Sequence, residues 1–184
     1  MPMVRATAAV VALALSVPVL AVAQARTPDP RDVGTIDGIM LAFYEVISGP
    51  PGQPRDWGRD STLYIPGVRF VALSERNGQP RANIMDHEAY VRQSEPVFVR
   101  DGFFEEEIGR EVRRFGNLAS VLSSYATRAT ADGPVTGRGV NSIQMYWDGQ
   151  RWWITGVVWD GERPGNPLPA ELTRPPEDAP GPGW

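Results

Sequence analysis

The stretch from Phe103 to Glu162 constrains the fold more than any other part of this sequence, because long extended segments follow one another in it. The predicted strands lie at about 103–115, 117–130, 137–147 and 151–160. Asp148-Gly149, between the last two, is the dipeptide most typical of a two-residue β-hairpin turn. Long strands joined by short turns pair antiparallel, and large sheets of this kind twist. The stretch therefore predicts a long, curved antiparallel sheet, an architecture that usually encloses a pocket.

The first half of the chain carries the helix signals. Apolar residues at helical spacing predict a first helix from Ile36 to Ile47, which the following Ser-Gly-Pro-Pro ends. A short helical turn is expected at 55–60, and a helix capped by Asp86 is expected over 87–94, before Pro96. Small strands at 63–65, 68–73 and 80–85 complete the order. This order predicts an α+β fold in which about three N-terminal helices pack on one face of a strongly curved antiparallel sheet.

Both ends of the chain lie outside the predicted domain, which spans residues 35–161. Residues 1–25 combine Arg5, an apolar run from Ala8 to Ala23 and small residues before a cleavage point near Ala25, a pattern typical of a secretory signal peptide. We expect export to the periplasm or the medium rather than a membrane anchor, because the run is shorter than the ~20 residues that a spanning helix needs. Residues 26–34 form a polar leader, and the proline-rich residues 162–184 predict a disordered tail.

Two missing residue types exclude several kinds of function. The sequence has no cysteine, which excludes disulfides, thiolate metal sites and a cysteine nucleophile. All 18 basic residues are arginines, which excludes lysine Schiff-base chemistry. Removal of residues 1–25 would take away only Arg5 and none of the 22 acidic residues, and a mildly acidic chain is a poor candidate for binding nucleic acid. His87 is the sole histidine and has no partners at metal-ligand spacing, so we predict no metal and no cofactor.

Three local patterns accompany this order of elements. They are the amphipathic first helix followed by Arg55-Asp56-Trp57, the strand Ala119-Ser120-Val121-Leu122-Ser123-Ser124-Tyr125, and the closing Asp148-Gly149-Gln150-Arg151-Trp152-Trp153-Ile154 with a later Trp159. With these patterns, the chain from about Ile36 to Trp159 resembles the nuclear transport factor 2-like superfamily, in particular its SnoaL-like bacterial members. The resemblance implies a cone-shaped fold whose sheet wraps the helices around one apolar cavity, often in a homodimer. It implies no single activity, because the superfamily includes isomerases, dehydratases, cyclases and binding modules.

The resemblance also implies that a catalytic group in such a fold is a carboxylate, a tyrosine or a histidine inside the cone. The candidates in this chain are Asp56, His87 and Glu106. Asp56 and His87 each have a simpler interpretation, as polar residues at the start of a helix. Because side chains alternate along a strand, either Glu106 alone or Glu105 and Glu107 together can point inward. A solvated run of carboxylates remains the favoured interpretation of these glutamates.

Aromatic residues dominate the candidates for ligand contact. The candidates are Tyr44, Trp57, Tyr90, Tyr125, Asn141 and Trp159. Core packing is the alternative for each ring, and interstrand hydrogen bonding is the alternative for the asparagine. Both faces of the later strands are partly apolar, which favours a homodimer through the sheet.

The sequence leaves open whether the protein is an enzyme. We predict an exported domain that binds a small apolar or amphipathic molecule in the cone. The alternative is a small lyase or isomerase that uses an inward carboxylate or His87 as its general base. A purely structural dimerisation domain is a third interpretation.

Overall fold

A computed structural model describes residues 26–173. The predicted signal peptide, residues 1–25, and residues 174–184 of the predicted tail lie outside the described residues. The helices are α1 (Pro30–Val33), α2 (Ile36–Glu45), α3 (Trp57–Asp60) and α4 (His87–Asp101), and two 3-10 helices span Ser61–Leu63 and Ala170–Thr173. The strands are β1 (Tyr64–Arg76), β2 (Gln79–Met85), β3 (Phe104–Phe115), β4 (Leu118–Arg128), β5 (Gly137–Trp147) and β6 (Trp152–Gly161).

The six strands form one open sheet in the order β2-β1-β6-β5-β4-β3. The predicted α+β class is confirmed, but the sheet is mixed, because β1 and β6 run parallel while the other neighbours are antiparallel. The parallel pair arises from the connection through α4. This helix carries the chain from the β1–β2 hairpin to the far edge of the sheet, and the meander from β3 to β6 then returns to β1 in the same direction.

One strand, β1, replaces the two short strands that the sequence predicted at 63–65 and 68–73. Pro66-Gly67 interrupts the pairing of β1 with β6 between Tyr64 and Arg69 without ending the strand. A proline lacks the N–H that a ladder needs, so it is tolerated where the register shifts.

Helix α4 extends through Pro96 to Asp101, beyond its predicted end at 94. Tertiary contacts hold the additional turns. The ring of Phe98 stacks on Phe103 with centroids 4.2 Å apart, and Arg55 Nη2 donates to the carbonyl oxygen of Phe98 (3.1 Å). These contacts offset the backbone hydrogen bond that the proline cannot make. None of the helices within residues 26–173 has the length and apolar character needed to cross a membrane.

The core fills one end of the space between the sheet and α2. Its fully buried side chains include Ile39, Met40, Leu63, Val121, Ile143 and Ile154. Complete burial of each large aliphatic side chain stabilises the fold by about 1.5–3 kcal/mol. At the other end of the sheet, where β4 and β6 finish and β5 begins, the inner face is not filled in this way.

Residues 162–173 turn back over the outer face of the sheet. Leu172 is buried beside β3 and β4, and its carbonyl oxygen accepts a hydrogen bond from Ser124 Oγ. The prolines of these residues predict a disordered tail. The structure places them on the sheet, because Leu172 supplies an apolar anchor and Ser124 a polar one.

Candidate functional site

A pocket of about 470 Å³ occupies the unfilled end of the inner face. Its walls come from α2, α4 and strands β1, β3, β4, β5 and β6. The lining is mainly aromatic and includes Phe43, Tyr90, Phe98, Phe103, Tyr125 and Trp159. Its polar members include Ser94, Glu105, Thr127 and Asn141. We call this volume the aromatic pocket.

Two glycines on the inner face at this end of the sheet differ in the space beside them. Gly139 pairs with Tyr125 on one side and with Gly161 on the other, so all three residues share the inner face. A Cβ atom on Gly139 would lie 2.4 Å from the hydroxyl oxygen of Tyr125, which real atoms do not tolerate. Gly161 is different, because the nearest atom to an added Cβ is a backbone oxygen at 3.9 Å. A side chain at Gly161 would therefore enter the pocket without a backbone clash.

Among residues 26–173, two carboxyl groups line the aromatic pocket, Glu105 and Glu162. Glu162 forms an ion pair with Arg138 (2.7 Å), so within this range Glu105 is the lining carboxyl group without a partner charge. Its pairing with Thr127, another lining residue, directs it inward. Although it lies deep in the protein, part of its surface stays accessible and lines the pocket. Burial raises the pKa of Glu105 to about 7, against the opposing effect of a hydrogen bond from Asn141 Nδ2 to Glu105 Oε1 (3.3 Å).

A chain of hydrogen bonds beneath the pocket connects Asn141, Tyr44, Ser123 and Glu107. Asn141 Nδ2 also donates to the Tyr44 hydroxyl (3.3 Å), which lies 2.6 Å from Ser123 Oγ. Ser123 donates its single proton to Glu107, so Tyr44 must be the donor to Ser123. Burial raises the pKa of Glu107, and Arg110 opposes this from 3.7 Å. The Tyr44 hydroxyl therefore donates its proton to Ser123 and does not donate to Glu105.

The structure corrects the choice of Glu106 as the inward carboxylate. Glu106 pairs with Ala126 on the outer face and forms an ion pair with Arg128 (2.6 Å). Glu105 and Glu107 point inward instead, which is the other arrangement that strand alternation allowed. Nothing in the sequence chose between the two, because three identical residues give the strand no preferred face.

Asp56 is also on the surface and away from the aromatic pocket. Its carboxylate accepts the Arg59 backbone N–H as the N-cap of α3 and pairs with Arg26 at 2.6 Å. These bonds lower the pKa of Asp56. Its simpler interpretation as a cap describes its contacts fully.

His87 contacts Asp60, an aspartate that is not among the residues predicted for the site. Its Nε2 lies 2.6 Å from Oδ2 of Asp60, which is fully buried and accepts a second hydrogen bond from the Tyr64 hydroxyl at 3.1 Å. Burial raises the pKa of Asp60, and the bond from His87 opposes this rise. His87 is not part of the pocket lining, and its neighbour Asp86 caps α4. No sequence signal marks Asp60 as buried, since it lies in a polar run.

Four of the six predicted ligand contacts line the aromatic pocket: Tyr90, Tyr125, Asn141 and Trp159. Tyr44 lies behind Asn141. Trp57 lies behind the wall, where its ring packs against Phe98 and Tyr90 and its Nε1 donates to Glu95 (2.8 Å).

A larger depression of about 830 Å³ lies beside α1 and α2. Ion pairs such as Arg59 with Asp32 (2.7 Å) and with Glu45 (2.9 Å) satisfy its charged side chains. Each charged side chain that lines this depression among the described residues has a partner of opposite charge, so none of them is marked as a reactive group. Within residues 26–173 no group of three or more histidine or acidic side chains could hold a metal ion.

Comparisons with known proteins identify the fold. No protein-family model matches the sequence, and no curated protein shows significant similarity to it. A protein of unknown function with a cystatin-like fold from Nostoc punctiforme superimposes with a TM-score of 0.53 at 8% identity, over 69% of this chain and 88% of that one. A protein of unknown function from Mycobacterium tuberculosis gives 0.51 at 14% identity, over 74% and 80%.

A third similar structure, from Streptomyces avermitilis, belongs to the NTF2-like family and is provisionally described as a dehydratase. It gives a TM-score of 0.51 at 14% identity and covers 72% of this chain and 96% of its own. At this level of identity the comparison establishes the fold alone.

Proposed function

The chain has the fold of the nuclear transport factor 2-like superfamily, and from this premise we propose that it binds a small, largely apolar molecule in the aromatic pocket. The observation that carries the proposal is an aromatic concavity of about 470 Å³ whose described lining includes one carboxyl group without a partner charge, Glu105. Volumes of this order suit small organic ligands, and a few polar groups in an apolar wall fix their orientation. The N-terminal sequence supports an exported setting for this binding.

Gly161 supports the same proposal. Stability alone favours a filled interior, because each methyl-sized gap costs about 1 kcal/mol. Gly161 lines the pocket without a side chain, and an added Cβ there would have no atom nearer than 3.9 Å, whereas the preceding inward residue of the strand is the large Trp159. Space kept open in this way is expected where a ligand fills it.

A second function, proton transfer by Glu105, is favoured by the pKa of that group. A carboxyl with a pKa of about 7 is half ionised at neutral pH and can accept a proton from a bound carbon acid. Uptake of deuterium by 2-tetralone in D₂O, followed by NMR, tests this activity. The rate should fall to that of buffer in Glu105→Gln and should persist in Glu106→Gln. Equal rates in the two variants contradict a role for Glu105.

The binding proposal is tested by filling the pocket from a position that tolerates a side chain. Gly161→Val places its side chain in the pocket. Gly156→Val lies on the same strand, faces outward, and has its nearest neighbour at 3.7 Å, so it is a matched control. We expect N-phenyl-1-naphthylamine, a neutral fluorescent probe, to bind the wild type and the control alike and Gly161→Val at least about tenfold more weakly.

Equal binding by the two glycine variants, with both folded by circular dichroism, would contradict the proposal. Native mass spectrometry of the purified protein adds a test without a chosen probe. A co-purified small molecule should be present in the control and missing from Gly161→Val.

A further inference from the structure

The interior of the aromatic pocket has a negative group and no positive one. Glu105 is ionisable, and among the described residues the only arginine in the lining is Arg138. Arg138 is exposed at the edge, where its Nε pairs with Glu162 (2.7 Å). An anionic ligand group beside Glu105 would meet like charge without compensation, so carboxylates and phosphates are disfavoured inside the pocket.

Glu105 also lacks hydrogen-bond donors. An ionised carboxylate has about four acceptor positions. Within residues 26–173, the only side-chain donor to it is Asn141 Nδ2, at the long distance of 3.3 Å. Tyr44 donates elsewhere, and Thr127 Oγ1 is engaged with Thr136 and the carbonyl of Gly137. The acceptor side of this carboxylate is therefore open to a donor that a ligand brings.

The aromatic walls suit a positive charge. Tyr90 stacks on Phe70 with centroids 4.6 Å apart and meets Trp159 edge to face at 6.3 Å, while Phe98 stacks on Phe103. Ring faces carry a negative quadrupole and attract ammonium groups, and the attraction strengthens when water is excluded. The same rings pack favourably on an apolar body.

From these three observations we infer that the ligand carries a protonated primary or secondary amine, which donates to Glu105, on an apolar body that lies among the rings. An amine supplies the positive charge that the interior of the pocket lacks and the hydrogen-bond donors that Glu105 lacks. This inference rests on the proposed binding function and names its ligand class.

Three probes that share a phenylalkyl group and differ in their terminal polar group test the inference. They are 4-phenylbutylamine, 4-phenylbutan-1-ol and 4-phenylbutyrate, titrated calorimetrically at pH 8, where the alkylamine is still protonated because its pKa is near that of lysine, about 10.4. We expect the amine to bind at least about tenfold more tightly than the alcohol and the carboxylate to bind most weakly. In Glu105→Gln the amine and the alcohol should bind equally. Glu106→Gln, on the adjacent outward position, should keep the preference for the amine.

The outcomes separate this inference from the function on which it rests. If the alcohol binds as tightly as the amine and Gly161→Val weakens both, the pocket binds small molecules and the amine inference is wrong. A preference for the amine that survives in Glu105→Gln also overturns it. If no probe binds and N-phenyl-1-naphthylamine binding is unaffected by Gly161→Val, the proposed function itself fails.

Discussion

Asp60 and Glu105 are both buried carboxyl groups, and they differ in what surrounds them. Asp60 accepts hydrogen bonds from His87 and Tyr64, is fully buried and does not line the aromatic pocket. Glu105 has one long hydrogen bond and faces the aromatic pocket. A buried carboxyl with a hydrogen-bond partner on each oxygen stabilises a fold. A buried carboxyl without such partners destabilises the fold, and a ligand that binds to it can offset that loss. Asp60 is therefore expected to stabilise the fold, and Glu105 is expected to contact a ligand.

Loss of the Asp60 carboxyl should have the largest effect on stability. Asp60→Ala leaves the buried Tyr64 hydroxyl and His87 without their acceptor, and we expect the free energy of unfolding to fall by about 3 kcal/mol. Urea unfolding at pH 8 measures the change. A loss below about 1 kcal/mol would show that Asp60 is not a structural anchor.

Glu105→Gln should act in the opposite direction at pH 8. The pKa of Glu105 is about 7 in the folded protein and 4.5 in the unfolded reference, so the folded state has no penalty from this group below pH 4.5. Above pH 4.5 ionisation of Glu105 lowers the free energy of unfolding increasingly as pH rises. The loss is complete above pH 7, where it reaches at most about 3 kcal/mol. The neutral amide removes it. The variant should therefore be more stable than the wild type at pH 8 and nearly equal at pH 4.5, by urea unfolding at both values.

His87→Gln should change the free energy of unfolding by an intermediate amount. Glutamine can still donate to Asp60 but loses the ring contact with Tyr64, whose centroid is 5.5 Å from that of the imidazole. We expect a loss of about 1–2 kcal/mol and unchanged binding of N-phenyl-1-naphthylamine. Weakened probe binding in a stable His87→Gln protein would place His87 in the functional site after all.

Glu106→Gln should change stability least. Its ion pair with Arg128 is on the surface, and exposed pairs contribute about 0–1 kcal/mol. The change in unfolding free energy should stay within about 0.5 kcal/mol at pH 8. A loss as large as that of Asp60→Ala would mean that the outer face is covered, as the predicted homodimer through the sheet requires, and sedimentation would then test for a dimer.

The sequence predicted the parts of the fold that local signals determine. The hairpin at Asp148-Gly149 and strand β5 occur where expected, and α2 begins at the predicted Ile36. The parallel pairing of β1 with β6 was not predictable, because it depends on where α4 carries the chain. The burial of Asp60 likewise depends on contacts between residues 27 positions apart.

The candidate site was only partly predictable for a similar reason. Aromatic side chains such as Tyr90 and Trp159 indicated a pocket wall, since large rings in strands and helices face a core or a cavity. The inward direction of Glu105 depends on the register between β3 and β4, where Glu105 is opposite Thr127. That register is a property of the sheet and not of the Glu105-Glu106-Glu107 run.

Glu105 is a carboxyl group in an apolar pocket and lacks the partners that would keep it ionised. Titration of the side-chain carboxyl carbon by NMR in protein labelled at glutamate, with the Glu105 signal assigned from Glu105→Gln, tests this lack of partners most directly. The midpoint should lie near pH 7, because burial raises the pKa of Glu105 to about 7. A midpoint near the ordinary glutamate value of 4.5 would show that water or an unrecognised partner stabilises the carboxylate, and that Glu105 is not the partnerless group described above.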